Sequence, residues 1–139
     1  FRYENVMSLK YDNNSGNTIE TIQEGDAVTT YVWGYHHSLL LAIVKNASSN
    51  VVASSLSCTM NELQAKTDSD ELINIFNDLR DVLSGALITS YTYDASQNIL
   101  SVTDPSGKTC KYEYDAASRL KITRDQDNNI VKSYDYHYK

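Results

Sequence analysis

Apolar and polar residues alternate with a period of two along the first part of the chain, up to about residue 45. The alternation is clearest at Tyr31, Trp33 and Tyr35, which stand at every second position. Because successive side chains of a strand point to opposite faces, this period predicts β-strands. The stretches NNSGN (13–17) and EGD (24–26) interrupt it with residues that tolerate positive φ. Residues 1–45 are therefore predicted to form β-hairpins.

The period changes to three or four between residues 46 and 85. In TDSDELINIFNDLRDVLSG (67–85) one helical face is apolar and consists of Leu72, Ile75 or Phe76, Leu79, and Val82 or Leu83. Asp68, three residues before Glu71, predicts a capping pair at the start, and Gly85 predicts a cap at the end. One main helix is predicted over 69–83, with short helical turns near 49–57 and 60–65.

The period of two returns after residue 86, and from here the sequence also repeats itself. YTYDASQNILSVTDPSGKTC (91–110) aligns with YEYDAASRLKITRDQDNNIV (112–131), and a partial third unit occupies 134–139. The aligned pairs are Tyr91 with Tyr112, Tyr93 with Tyr114, Asp94 with Asp115, and Ile99 with Leu120. A degenerate copy is predicted near the start, with KYDNNSGN (10–17) as its turn. Units of about 20 residues cannot bury their own apolar face, so neighbouring units must stack.

These periods predict one α+β domain made mainly of antiparallel β-hairpins, with one main helix packed on the sheet. Its predicted parts are hairpins (1–45), a helical insert (46–85) and repeats (86–139). We expect the apolar stripe of the helix to cover the strand face that carries the first aromatic row, because that strand precedes the helical segment. The alternative is an all-β sheet with a detached helical insert, which rapid proteolysis within 59–83 would reveal.

Composition narrows the class of partner. The chain is 41% hydrophobic and carries a net charge of −6, which predicts a globular protein that binds neither nucleic acid nor anionic membranes. It has no run of about 18 apolar residues, so we predict no membrane insertion. The start FRYENVMSLK has neither an initiator methionine nor signal-peptide features, and we interpret the chain as a piece of a longer one.

Tyrosine is unusually common, with eleven tyrosines against two phenylalanines. Alternate tyrosines lie on one sheet face, and stacked hairpins bring their rings into register, where each aromatic cross-strand pair contributes about 0.2–1 kcal/mol. The aspartate after the second tyrosine of each unit can accept backbone N–H groups in the next turn. The repeated residues are therefore predicted to be structural rather than catalytic.

The repeat resembles the YD-repeat (Rhs-type) family. The residues that match the family pattern are Tyr112, Tyr114, Asp115, Arg119, Leu120 and Asp125. With TYVWGYHHSLLLAIVKNA (30–47) and SYDYHYK (133–139), the chain resembles the carboxy-terminal portion of such proteins from Bacteroidetes-like bacteria. The resemblance implies a secreted or cell-surface bacterial protein whose repeats stack on further repeats in a spiralling sheet, in some members a shell around a cargo.

The chain departs from the family pattern in its turns. Ser118 and Asn128 stand where glycine is usual, and Gln97 and Asn98 replace a glycine-arginine step. We therefore expect the first repeat to turn less tightly and to lack an Asp–Arg pair.

Residues for catalysis or metal binding are few. His36 and His37 are adjacent, and on a strand they would point to opposite faces and fail to share an ion. DQDNN (125–129) imitates half of a calcium loop but lacks its glycine and closing glutamate, so it predicts a hairpin turn. We predict no catalytic residue, metal or cofactor, and a hydrolase is the least favoured function. Whether Cys58 and Cys110 pair stays open.

The row of Tyr31, Trp33 and Tyr35 is the one candidate ligand site. Its rings either pack between layers or form a platform for a sugar ring or a protein partner. The predicted function is a non-catalytic structural segment, and the alternative is a carbohydrate- or protein-binding module that uses this face. Unpaired strand edges further predict self-association of the isolated chain.

Overall fold

The structure is a computed structural model that describes residues 6–23, 25 and 27–136. Its strands are β1 (Val6–Tyr11), β2 (Thr18–Gln23), β3 (Val28–Gly34), β4 (Leu39–Lys45), β5 (Leu87–Tyr93), β6 (Ile99–Thr103), β7 (Thr109–Tyr114), β8 (Leu120–Arg124) and β9 (Ile130–Ser133). Its helices are α1 (Ser49–Ser55), α2 (Met60–Gln64) and α3 (Ser69–Val82). Parts of the predicted EGD turn and of the unit 134–139 lie outside the described residues.

The nine strands form one antiparallel sheet in which every strand neighbours the next one in the chain. The three helices pack on this sheet, so the predicted α+β fold of antiparallel hairpins with a packed main helix is confirmed. None of the described helices is long and apolar enough to cross a bilayer.

The helices are inserted where other strand pairs have a turn. β4 and β5 are direct neighbours, with Lys45 opposite Leu87, although residues 46–86 separate them in the chain. The equivalent connection, from Thr103 to Thr109, is only a short turn. Since the strand order is the same on both sides, the insert replaces a turn without interrupting the sheet.

The hydrophobic core lies between one sheet face and the helices. The sheet contributes Val32, Leu41, Ala42, Val44 and Ile88, and the helical insert contributes Val52, Leu56, Leu63, Leu72, Ile75, Phe76 and Leu79. Burying one large aliphatic or aromatic side chain stabilises a fold by about 1.5–3 kcal/mol. The insert is therefore packed on the sheet and not detached.

The ends of α3 differ in detail from the predicted ones. Asp68 accepts a hydrogen bond from the backbone N–H of Asp70 at 3.0 Å. At the other end Leu83 is the C-cap, because its N–H bonds the carbonyl of Leu79, and Gly85 lies beyond the helix. A reciprocal capping box is found instead at the start of α2, between Thr59 and Glu62.

The expectation that α3 covers the first aromatic row is wrong. α3 packs on β5 and β6, whereas α1 and α2 contact β3. The buried face of β3 carries Thr30, Val32 and Gly34. Tyr31 and Trp33 alternate with these residues and so lie on the face opposite the helices. The two short helices, which precede α3 in the chain, contact β3 in its place.

Candidate functional site

Four turns of the sheet share one hydrogen-bond pattern. Each starts with aspartate, and the turns span residues 94–98, 104–108, 115–119 and 125–129. In each, the Asp Oδ1 accepts the backbone N–H groups of the residues two and four positions later, at 2.9–3.0 Å. The Asp N–H donates to the carbonyl of the residue four positions later at 2.9 Å. One carboxylate thus satisfies two backbone donors, which is the reason aspartate begins each turn. We name them the Asp turns.

The fourth residue of each Asp turn is left-handed. Its φ is +89° at Gly107, +67° at Gln97, +59° at Ser118 and +67° at Asn128. The expectation that the first repeat turns less tightly is wrong, since its hydrogen bonds match those of the other turns. The carboxylate imposes the geometry on residues that carry a Cβ, at a strain of about 1–2 kcal/mol per residue.

The fifth residue of the turn decides whether units are also linked by charge. Arg119 Nε donates to Asp115 Oδ2 at 2.9 Å, and the guanidinium lies over the Tyr136 ring, 4.2 Å from its centroid. In the first repeat the fifth turn residue is Asn98, whose Nδ2 donates to Asp94 Oδ2 at 3.4 Å. An amide contact therefore takes the place of the Asp–Arg pair in that repeat. Arg119 therefore joins its own turn to the next unit.

Hydrogen bonds lower the pKa of two turn aspartates. The backbone N–H of Arg119 is the main cause at Asp115, and the Ser106 hydroxyl is the main cause at Asp104. Both side chains are therefore carboxylates at neutral pH. They are acceptors for the turn and not general acids.

A second repeated contact connects neighbouring strands through aromatic side chains. Tyr93 Oη donates to the Leu40 carbonyl at 2.7 Å, and Tyr114 Oη donates to the Ile99 carbonyl at 2.6 Å. The other two contacts are Tyr136 Oη to Leu120 O at 2.6 Å and Trp33 Nε1 to Thr18 O at 2.8 Å. We name Trp33, Tyr93, Tyr114 and Tyr136 the register residues.

All four contacts occupy the same place in the strand pairing. The preceding strand pairs Glu20 with Thr30, Ala42 with Ser90, Ser101 with Lys111, and Ile122 with Ser133. In every pair the acceptor carbonyl lies two residues before the first-named residue, and the register residue lies three residues after the second-named one. In the pair of Ala42 and Ser90, for example, the acceptor is Leu40 and the register residue is Tyr93. Trp33 is therefore the equivalent of Tyr93, and Tyr31 is the equivalent of Tyr91.

The partial burial of Tyr93 and Tyr114 agrees with this contact. Desolvation raises the pKa of Tyr93 and Tyr114. A hydroxyl that stays protonated remains a donor, so the contact to the neighbouring carbonyl persists through the neutral range.

The segment after Trp33 replaces the Asp turn. Gly34 stands where Asp94 and Asp115 follow the register residues Tyr93 and Tyr114, and a Cβ there would lie 2.3 Å from Leu41 Cδ1. The following residues Tyr35, His36 and His37 all have positive φ, at +49°, +57° and +64°. The two histidines thus lie in a left-handed turn, not on the strand assumed from the sequence.

Gln64 of α2 holds this turn in place. Its backbone carbonyl accepts the His36 N–H at 3.1 Å, and its side-chain Oε1 accepts the His37 N–H at 2.8 Å. Its Nε2 donates to the Trp33 carbonyl at 2.7 Å. Gln64 is 7% exposed, so these bonds are shielded from water. The left-handed turn and the docking of α2 therefore depend on each other.

Tyr35 leaves the row that the sequence suggested. Its ring packs edge-on against Tyr93 with the centroids 5.5 Å apart, and its hydroxyl accepts the Tyr93 N–H at 3.3 Å. Tyr31 and Trp33 remain on the strand, half-buried. Ligand binding by these three residues stays a prediction.

A groove of about 290 Å³ lies beside the left-handed turn, between the helices and the first strands. Val32, Val52 and Met60 are among its apolar lining residues, and Lys10 and His37 are among its polar ones. His37 Nδ1 lies 3.7 Å from Asp12 Oδ2, which is longer than a hydrogen bond. The groove has the composition of a small-molecule pocket but no aligned nucleophile and base.

The remaining candidate residues are separated in the fold. Cys58 borders the core and Cys110 is exposed on β7, and both are free thiols. Burial raises the pKa of the Cys58 thiol, which disfavours its reactive thiolate form. Within the described residues, no three His, Cys, Asp or Glu side chains come together as metal ligands. The predicted calcium-like stretch is the Asp turn at 125–129.

Sequence reasoning missed that Trp33 belongs to the repeat. The signal was available, since Tyr31 and Trp33 follow Leu9 and Tyr11 by 22 positions, but the insert hides their distance from Tyr91 and Tyr93. Comparison with known families matches residues 93–129 to the family described as RHS Repeat. No curated protein matches the chain.

Proposed function

We propose, from the premise that residues 93–129 belong to the RHS repeat family, that this chain is a non-catalytic structural segment of a secreted or cell-surface protein. Its sheet is continued by neighbouring repeats of a longer chain. The family is one of structural repeats, and its members are typically extracellular or on the cell surface.

The observation that carries this proposal is the recurrence of two contacts at fixed register. The Asp turn and the register residue recur with the strands and are not gathered at one site. A catalytic centre needs a few side chains of different chemistry brought together, whereas repetition of one contact along a sheet adds stability unit by unit.

Insertion of one further unit tests the structural role. A second copy of residues 94–114 placed after Tyr114 keeps every turn and register contact in phase, and it leaves the strands under α3 unchanged. Because stability in a repeat array is approximately a sum over units and interfaces, we expect this variant to fold cooperatively and to be at least as stable as the parent in urea.

The matched control inserts only half a unit. A copy of residues 94–103 at the same place adds one strand, so the strands that follow change direction and β8 pairs with a copy of β6 instead of with β7. We expect lower stability than for the whole-unit insertion. Equal stability of the two variants would show that the phase of the repeat does not matter, which contradicts the proposal.

A carbohydrate- or protein-binding module remains the second candidate. The observation that favours it is that Tyr31 and Trp33 are only half-buried and alternate along β3 with the buried residues Thr30, Val32 and Gly34. Flat aromatic faces with polar edges suit wet interfaces. Retention of the chain on immobilised oligosaccharides, lost in Tyr31→Ala, is the result this candidate requires.

A further inference from the structure

Tyr11 occupies a fifth register position at the outer edge of the sheet. Lys10 pairs with Glu20 and Tyr11 with Thr18, so one residue of the partner strand is skipped between the two pairs. The same register shift lies between the pairs that Thr92 and Tyr93 form with β6. Asp12 follows and accepts the N–H of the residue two positions later at 3.1 Å, as the other turn aspartates do. By register, Tyr11 is therefore the equivalent of Tyr93.

The Tyr11 side chain differs from the register residues in its surroundings. β1 is the outermost strand of the sheet in the part of the chain that the structure describes. Tyr11 is 52% exposed, and Leu9 on the same face is 49% exposed. The four equivalent side chains each reach a carbonyl of the preceding strand, and β1 has no described strand on that side.

We propose that the outer edge of β1 is a docking site for one further antiparallel strand, whose first carbonyl accepts the Tyr11 hydroxyl. The inference rests on the proposed function. It adds the edge, the register and the side chain that receive the neighbouring segment.

The register defines the partner. In the existing junctions the register residue lies three positions after residue 30, 90, 111 or 133, and the acceptor lies two positions before the partner of that residue. The residue three positions before Tyr11 is Ser8, which is therefore the equivalent position on β1. The docking strand therefore has a residue opposite Ser8 and offers the carbonyl two residues earlier to Tyr11. The residues found at the equivalent partner positions are Glu20, Ala42, Ser101 and Ile122. Since these share no chemistry, backbone pairing and length select the strand.

The edge of β1 lacks one common protection against pairing. Proteins often shield edge strands with lysine side chains. The Lys10 ammonium is instead bound to Ser49 Oγ at 3.1 Å, at the start of α1. It is held over the helix-covered face and leaves the backbone edge accessible.

A covalent extension tests the docking. Residues 97–108 (QNILSVTDPSGK), which contain β6 and the turn after it, are joined to Val6 in place of residues 1–5. In the sheet this segment leads into Thr109, the position equivalent to Val6, so the added strand meets β1 in the repeat register. We expect amide exchange of β1 to slow at least tenfold relative to the original chain.

Tyr11→Phe then reports the hydroxyl contact. A hydrogen bond of ordinary strength changes the folded-to-unfolded ratio by about fivefold. We expect Tyr11→Phe to lower this ratio about fivefold in the extended chain and less than twofold in the original chain. Tyr114→Phe is the matched control, with about a fivefold loss in both chains.

Three results separate the possible failures. If Tyr114→Phe lowers the ratio but Tyr11→Phe is silent in the extended chain, the docking proposal is overturned and the proposed function stands. If both are silent, the register contact is unimportant and the proposed function also loses support. A second extension with residues 118–129 (SRLKITRDQDNN), which contain β8, guards against misfolding of the first. If neither extension protects β1, the proposal is wrong.

Discussion

Arg80 is the polar link between α3 and the sheet, and its removal is the sharpest test of how the insert is attached. Its Nη2 donates to the Ile88 carbonyl at 3.0 Å, to Ser90 Oγ at 3.0 Å and to the Thr103 carbonyl at 3.1 Å. Its Nη1 donates to Asn77 Oδ1 at 2.9 Å. One side chain thus bonds β5, β6 and its own helix.

The magnitude follows from gains and costs at the same group. Nη2 has two N–H groups, and hydrogen bonds to a charged group contribute about 1.5–3 kcal/mol each, so about 3–6 kcal/mol is gained. Arg80 Nε is buried without a partner among the described residues, which costs about 1–3 kcal/mol. Burial also lowers the pKa of Arg80, which indicates a further desolvation cost. We therefore expect Arg80→Met to lose about 2 kcal/mol, since methionine keeps the apolar stem.

Urea unfolding measures this loss. With a slope of about 2 kcal/mol per M for a small domain, Arg80→Met should lower the midpoint by about 1 M at unchanged slope. Arg80→Lys keeps the charge but cannot reach Asn77 and both strands together, so we expect about half the loss. Asp78→Ala, on the exposed side of α3, is the control and should change stability by less than about 0.5 kcal/mol.

Two outcomes would refute the reasoning. A stable Arg80→Met variant would show that desolvation of the guanidinium outweighs its bonds to the sheet, as happens for some buried ion pairs. An Arg80→Lys variant equal to the parent would show that the forked geometry of arginine is not needed.

Four other predictions concern the turns, the left-handed segment and the tryptophan. Gln97→Gly relieves a left-handed residue and should stabilise by about 0.5–1 kcal/mol in urea, whereas Gly107→Ala should destabilise by about 1 kcal/mol. The pKa of Asp115 is lower in the folded than in the unfolded chain, so its carboxylate contributes stability above the unfolded-state pKa, and this contribution is lost as pH falls through the folded-state pKa. Asp115→Asn should therefore flatten the decline of stability between about pH 5 and 2. Gln64→Ala leaves the shielded His37 N–H and Trp33 carbonyl unpaired, while the backbone carbonyl at position 64 still accepts the His36 N–H, and it should cost about 2–4 kcal/mol, with faster proteolysis near residue 64; wild-type resistance to proteolysis would contradict this role of Gln64. Trp33 emission should be only partly quenched by iodide and unchanged by oligosaccharides if its ring is structural; a shift with a sugar would support the binding module.

The Asp turns show how much a short stretch of sequence determines. An aspartate followed by a turn uses hydrogen bonds that span only two to four residues, so Asp94 and Asp115 could be assigned from the repeat alone. The apolar stripe of α3 is equally local, because helical period and capping depend on neighbours within a few positions. Strands, helix and repeat were therefore predictable.

Contacts between distant segments were not. Tyr93 bonds Leu40 across 53 residues, and only the pairing of β4 with β5 shows that residues 46–86 replace a turn. The left-handed turn at His36 likewise depends on Gln64, which α2 brings into place. Period and turn chemistry belong to the chain itself, whereas register and the face that a helix covers are set by which distant surfaces bury each other, and this the tertiary structure alone decides.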